Sequence, residues 1–211
     1  MSITELNLSI PAQRVLGTLA EKQRTVPDTY PLSLNALLAG CNQKTSRNPV
    51  LDLDEAAVSA ALDELKGHGL VAEVSGSRVV RFAHHLEKAL AVPTQAGALL
   101  TVLLLRGLQT AGELRLNCER LHAFADISSV EAFLEELAGR PAGALVVELP
   151  RAPGSRENRW MHLLGGPVSE ALAVGNESLR STGNFAELSD RVTALEAEVA
   201  ELRALLARLT G

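Results

Sequence analysis

Val58-Ser59-Ala60-Ala61-Leu62-Asp63-Glu64-Leu65 and Val130-Glu131-Ala132-Phe133-Leu134-Glu135-Glu136-Leu137 are two versions of one segment, 72 positions apart. Each spaces Val, Leu and Leu at i, i+4 and i+7, the repeat of one helical face, and each ends in two acidic residues and Leu. Upstream, Ser33 and Cys41 are echoed by Thr110 and Cys118 at an offset of 77, so the first copy carries five more residues between these helices. A repeat of this period usually marks duplicated units or an array. Only two copies fit here, each about the size of a small domain.

Outward from these segments the parts recur in one order. A helical run opens each copy: Pro11 to about Arg24, with Val15, Leu16 and Leu19 inward, and Pro93 to Arg106, with Leu99, Leu100, Leu103 and Leu104 inward. Proline suits a helix start, where its missing N–H would be unpaired anyway. The second helix follows a hydroxyl residue. Thr110-Ala111-Gly112-Glu113 has the capping-box pattern, whereas Ser33 heads a segment with Ala36 in place of the Glu. The third helix of the first copy is closed by Gly67 and Gly69. Two strands end each copy: Leu70 to Val74 and Arg78 to Phe82 around the tight-turn signal Ser75-Gly76-Ser77, then Ala144 to Leu149 and Arg159 to Leu164 around Pro150 to Asn158. Three helices and a hairpin are the order of a winged helix-turn-helix domain. The expected fold is mainly α with small β-hairpins (α+β): winged-helix domains over residues 1–88 and 89–167, a linker over 168–184 and a coiled-coil helix over 185–210.

That last helix is expected to join two copies of the chain. Phe185, Leu188, Val192, Leu195, Val199, Leu202, Leu206 and Leu209 are spaced 3-4-3-4-3-4-3, an a/d seam of period 3.5. Val192 and Val199 at a, with Leu at d, favour two strands, and Leu188 to Leu206 form the expected homodimer seam. Arg191 and Glu198 at g can meet Glu196 and Arg203 at e in a parallel pair, although antiparallel pairing also matches these signs. A helix packed on a globular core would show a wider apolar stripe.

At 211 residues and 46% hydrophobic, the chain can bury two modest cores. No apolar run reaches the ~20 residues needed to span a bilayer, and the N-terminus has no basic region leading into an apolar stretch. A cytoplasmic protein is expected, with Cys41 and Cys118 as small core residues at matched sites rather than a disulfide. The net charge is −5 and no region is basic: nine Lys or Arg against ten Asp or Glu in residues 1–88, seven against eight in 89–167, four against seven beyond. Nucleic-acid binders usually show a basic domain or face. The third helices, which would enter a major groove, are expected to expose Glu55, Ser59, Asp63 and Lys66 in one copy and Glu131, Glu135 and Glu136 in the other. Carboxylates facing phosphates repel.

The basic residues gather elsewhere. Lys44 and Arg47 lie in the polar loop Asn42 to Pro49, Arg78 and Arg81 on the first hairpin, and Arg151, Arg156 and Arg159 on or beside the second. As a set on equivalent elements they are candidate nucleic-acid contacts, although single arginines on exposed hairpins often serve solubility alone. The polar loop itself reads either as a network tying a long connection to its domain or as a contact for a ligand or partner.

Arg14-Val15-Leu16-Gly17, Glu21-Lys22, Thr25 to Leu37, Cys41-Asn42-Gln43-Lys44 and Arg47-Asn48-Pro49-Val50 together resemble the YceH-like family of uncharacterised bacterial proteins. Leu103 to Gly107, Gly112 to Arg115, Leu149-Pro150-Arg151, Pro153-Gly154 and His162-Leu163-Leu164 resemble it too, so the likeness covers about residues 11–165. It implies a tandem winged-helix fold in a cytoplasmic bacterial protein, and brings no activity or site residues with it.

Enzyme chemistry is not expected. His84-His85 is adjacent rather than spaced i,i+4, no Cys-x-x-Cys or His-Glu-x-x-His is present, and the glycines form no phosphate loop, so no metal or cofactor is expected. Two readings follow. One is a dimeric, regulator-like protein contacting duplex DNA through its wings and the Lys44/Arg47 loop. The other is a protein-interaction module whose acidic third helices meet a basic partner, as in the winged-helix subunits of chromosome-condensing complexes.

Overall fold

Ser9 starts the first helix, α1 (Ile10–Thr25): its hydroxyl accepts from the Ala12 N–H at 3.3 Å, and Pro11 fills the first turn. After a 3-10 turn at Pro27–Thr29 come the short strand β1 (Leu32–Ser33) and α2 (Leu34–Cys41), whose Ser33 cap accepts from Ala36 N at 3.4 Å. Asp54 caps α3 (Glu55–Gly67), which leads into β2 (Val71–Val74), β3 (Arg81–His84) and the short α4 (Leu86–Leu90). The second copy repeats the order with α5 (Thr94–Arg106), α6 (Ala111–Cys118), α7 (Ile127–Ala138), β4 (Val146–Leu149) and β5 (Arg159–His162). The capping box at Thr110 and Glu113 forms in full. This computed structural model describes residues 6–74, 79–151 and 157–168. The expected coiled-coil helix, Arg78 and Arg156 lie outside them.

The chain is α+β, with antiparallel strands only among the described residues. In the first copy β3 lies between β1 and β2, with Leu32 opposite Phe82. In the second, β4 pairs β5, and the third strand shrinks to one bridge between Gln109 and Trp160. The first hairpin departs from expectation. Val74 pairs with Arg81, so β3 begins at Arg81 rather than at Arg78 and runs on to His84. The reason is alternation: Phe82 and His84 point inward, whereas Val79 and Val80 are exposed.

Composition suggests two modest cores, but the buried side chains form one contiguous cluster, and residues 1–168 form one compact unit. The two first helices make the join. Ala96 to Leu105 of α5 are buried all round, because the helix lies between its own copy and α1. Gly17 permits the approach: a Cβ there would stand 3.0 Å from Leu105 Cδ2 and 3.1 Å from Leu104 Cβ. At the far edge Leu8 N–H donates to Leu164 O at 2.8 Å, and Asn7 bridges Gly165, so the start of the first copy is held by the end of the second.

Candidate interaction surfaces

Loop 42–54 leaves α2 at Asn42, whose amide both donates to Leu53 O at 2.8 Å and accepts from Leu53 N at 2.9 Å, closing the loop on itself. Arg47 does not stand on this loop's surface, as the sequence reading had it. Its side chain is buried, with Nη2 2.6 Å from Glu21 Oε2 and bonds to Gly40 O at 3.0 and 3.2 Å, Ser46 O at 3.0 Å and Gln43 Oε1 at 3.0 Å. A guanidinium supplies five donors in a fixed fork, and here the carbonyls and carboxylate that a closed loop leaves behind take them up. Burial alone would push the Glu21 carboxyl up, but the Arg47 hydrogen bonds and charge, with Lys22, outweigh it and hold the carboxyl below its usual range. Arg14, also buried, donates to Cys41 O at 3.1 Å and Pro49 O at 2.5 Å. Of the two expected basic contacts in this loop, Lys44 alone is exposed.

The same loop clasps the second copy. Asn48 N–H donates to Leu105 O at 2.8 Å, satisfying a carbonyl in the last turn of α5, and Arg106 donates to Ser46 Oγ at 2.9 Å. Ser46 sits at φ 59° in the left-handed region and is held there from both sides, through its carbonyl and its hydroxyl. The loop is thus the network reading of the sequence, extended across the join between copies.

Among the described hairpin arginines, one is committed to internal carbonyls. Arg81 is half-buried and donates to Thr29 O at 3.2 Å and Pro31 O at 2.7 Å, so it pins the approach to β1 rather than standing out from a wing. Arg159 is half-buried, with Nε and Nη2 out of reach of solvent. Arg115 binds Phe124 O and Ala125 O, and Arg140 binds Leu90 O and Ala91 O. Arg151 is exposed.

The third helices differ in what balances their acids. On α3, Lys66 lies 2.8 Å from Asp63 and 2.7 Å from Glu73, while Glu64 accepts from both the N–H and hydroxyl of Ser9. On α7, Val130, Leu134 and Leu137 are buried, and Asp126 and Ser129 form a capping box whose hydrogen bonds hold the Asp126 carboxyl below its usual range. Glu131, Glu135 and Glu136 are exposed, and none has an ion pair among the described residues. The second copy therefore presents an uncompensated acidic face.

One repeat escaped the sequence reading. Arg81-Phe82-Ala83-His84 and Arg159-Trp160-Met161-His162 occupy matching strands 78 positions apart, and the Arg-aromatic-x-His pattern was there to find. Both histidines are buried. His84 accepts from Leu86 N at 3.2 Å through Nδ1, and its Nε2 lies 2.8 Å from Gln23 Oε1. Burial lowers its pKa and pushes that of His162 down to about 4. Cys41 and Cys118 are buried free thiols at the ends of α2 and α6. No group of His, Cys, Asp and Glu among the described residues is placed to hold a metal ion, and no described helix is long and apolar enough to cross a membrane.

These features define a class: an α+β protein of two like copies fused through their first helices, with five of its arginines turned to internal carbonyls and one helix left acidic. The chain belongs to the DUF480 family, described as proteins of unknown function, which matches residues 8–155. It is similar to the UPF0502 protein of Dechloromonas aromatica, 72% identical over 94% of each chain. It is also similar to UPF0502 proteins of Burkholderia thailandensis (62% identical, covering 92% of this chain and 83% of that one) and Acidovorax sp. JS42 (58% identical, 96% and 92%). The YceH-like resemblance of the sequence agrees with this membership.

Proposed function

We propose that the chain is a non-enzymatic interaction module: two tandem winged helices that offer the α7 face to a basic protein partner, in a homodimer joined through residues 185–210. The observation that carries this reading is the contrast in charge. Glu131, Glu135 and Glu136 are exposed without partners among the described residues, while Arg14, Arg47, Arg81, Arg115 and Arg140 are spent on backbone carbonyls. Carboxylates that no internal cation neutralises attract a cationic surface and repel a phosphate backbone. Copurification from native cells with the full chain as bait tests it. Reversing all three to Lys is expected to abolish recovery of a basic partner while leaving the helical spectrum unchanged. A partner retained by the triple variant overturns the reading. The expected homodimer is tested by mass in solution, which should halve when Leu195 and Leu202 are replaced by Lys.

A second reading, contact with duplex DNA, is supported by exposed Lys44 and Arg151; Arg78 and Arg156, also candidates from the sequence, lie outside the described residues. It expects binding to random duplex that weakens steeply with salt and is lost when these four residues become Ala. Absence of binding by the folded protein at low salt removes it.

A further inference from the structure

Beside the acidic face the second copy exposes apolar surface that its own fold does not require. Leu116 on α6 is 71% exposed and Ile127, the first residue of α7, is 43% exposed. Gly112 brings them onto one patch. A Cβ built there would stand 3.8 Å from Ile127 Cδ1, so Ile127 lies over α6 at that glycine. Leu116 is one turn further along the same face of α6. A single exposed leucine is ordinary on a protein surface; two large apolar side chains flanking a glycine form a seat.

Charge says what the seat accepts. Glu131 and Glu135 follow Ile127 at i+4 and i+8 on the same face of α7, and both are exposed. The seat is therefore apolar in the middle and acidic along its α7 edge, while Arg115 is turned to the carbonyls of Phe124 and Ala125. The chain's own residues beyond 168 carry seven acidic against four basic side chains and do not complement it. A phosphate backbone is repelled by the acidic edge and gains nothing from Leu116 or Ile127.

We propose that the α6–α7 surface is a docking site for a basic amphipathic helix of another protein, its apolar stripe on Ile127 and Leu116 and its Lys or Arg residues against Glu131 and Glu135. This rests on the interaction-module reading and adds the partner's chemistry. Such helices dock through apolar anchors at i, i+3, i+4 and i+7, and flanking cations set orientation and exclude acidic competitors.

The test selects helical peptides of random sequence from a displayed library on the full-length protein. Their affinities are then measured by fluorescence anisotropy. Enriched peptides are expected to carry an apolar stripe flanked by Lys or Arg, and to bind about tenfold more weakly to Leu116→Ala and to Ile127→Ala. Leu116 is exposed enough that its replacement leaves the fold intact, which an unchanged melting temperature confirms. Binders lost on reversal of the three glutamates but indifferent to Leu116→Ala and Ile127→Ala overturn this proposal and leave the acidic-face reading standing. Binders indifferent to every one of these changes, or an enriched set that is acidic, remove both. A full chain whose mass in solution halves on Leu116→Asp makes the patch an interface between copies, and the proposal fails.

Discussion

Replacing Arg47 by Ala is expected to destabilise the protein by about 3 to 5 kcal/mol, the range for removing one partner of a buried ion pair. The magnitude follows from what the side chain leaves behind. Its own accessible surface is nil and that of Glu21 is 15%, so the glutamate stays largely out of water without its counter-charge. The Gly40 carbonyl loses both of its guanidinium bonds, and the Ser46 carbonyl loses the one that helps hold its left-handed backbone. For a unit of this size each kcal/mol moves Tm by about 2–4 °C, so the fall should be about 6–20 °C. Glu21→Leu with Arg47→Met removes both charges together and should recover most of the loss. The assay is thermal and urea denaturation of the full chain followed by far-ultraviolet circular dichroism, read as a double-variant cycle. Acid titration adds an independent reading. Because the folded pKa of Glu21 is lowered, its contribution is present above its ordinary value of 4.5 and disappears as pH falls through the lowered value. Arg47→Ala should remove that acid-side loss. A variant melting within about 2 °C of the parent, with no coupling to Glu21, would refute the buried network and return Arg47 to the surface.

Gly17→Val should cost about 1–3 kcal/mol by forcing α1 off α5, whereas Gly67→Ala, with nothing within 4 Å of the new methyl, should stabilise by up to about 1 kcal/mol; urea midpoints separate the two. Thr110→Ala removes the capping box of α6 and should cost about 1 kcal/mol in the same assay. Burial keeps His162 neutral, so an unfolded histidine of ordinary pKa 6.5 binds a proton that the folded one refuses until about pH 4. Its contribution is full above 6.5 and lost as pH falls toward 4. Buried His84 carries the same sign. The urea midpoint should therefore fall between these values in the parent and fall less in His162→Gln; equal slopes would contradict the burial.

Local rules were strong wherever neighbours along the chain settle the outcome. The Val-x-x-x-Leu-x-x-Leu spacing located α3 and α7, and Thr110 with Glu113 located the start of α6, because hydroxyl caps and helical periodicity act within a turn or two. The same helical phase also placed Glu131, Glu135 and Glu136 on the surface. The candidate basic contacts were less legible. Lys44 and Arg47 lie three positions apart in one polar loop, yet one is in water and the other is enclosed. Composition cannot separate them, since the difference comes from Glu21 on another helix and from the Gly40 carbonyl above it. Likewise, Arg81 looked like a wing cation because nothing in sequence places the carbonyls of Thr29 and Pro31 beside it.

By itself the sequence determined the duplication, the shared order of three helices and a hairpin, the hydroxyl caps of α2 and α6 and the sign of the exposed third helix, while the aspartate caps of α3 and α7 and the short α4 went unread. The features it determined follow from periodicity and capping, which are short-range. Tertiary structure alone decided that two cores become one. The all-apolar face count of α5 states only that every side is buried, while Gly17 and the reach of loop 42–54 to Leu105 choose α1 as the cover. Contacts between distant segments depend on shape matching across the join, and shape is a property of the assembled side chains rather than of any window of sequence.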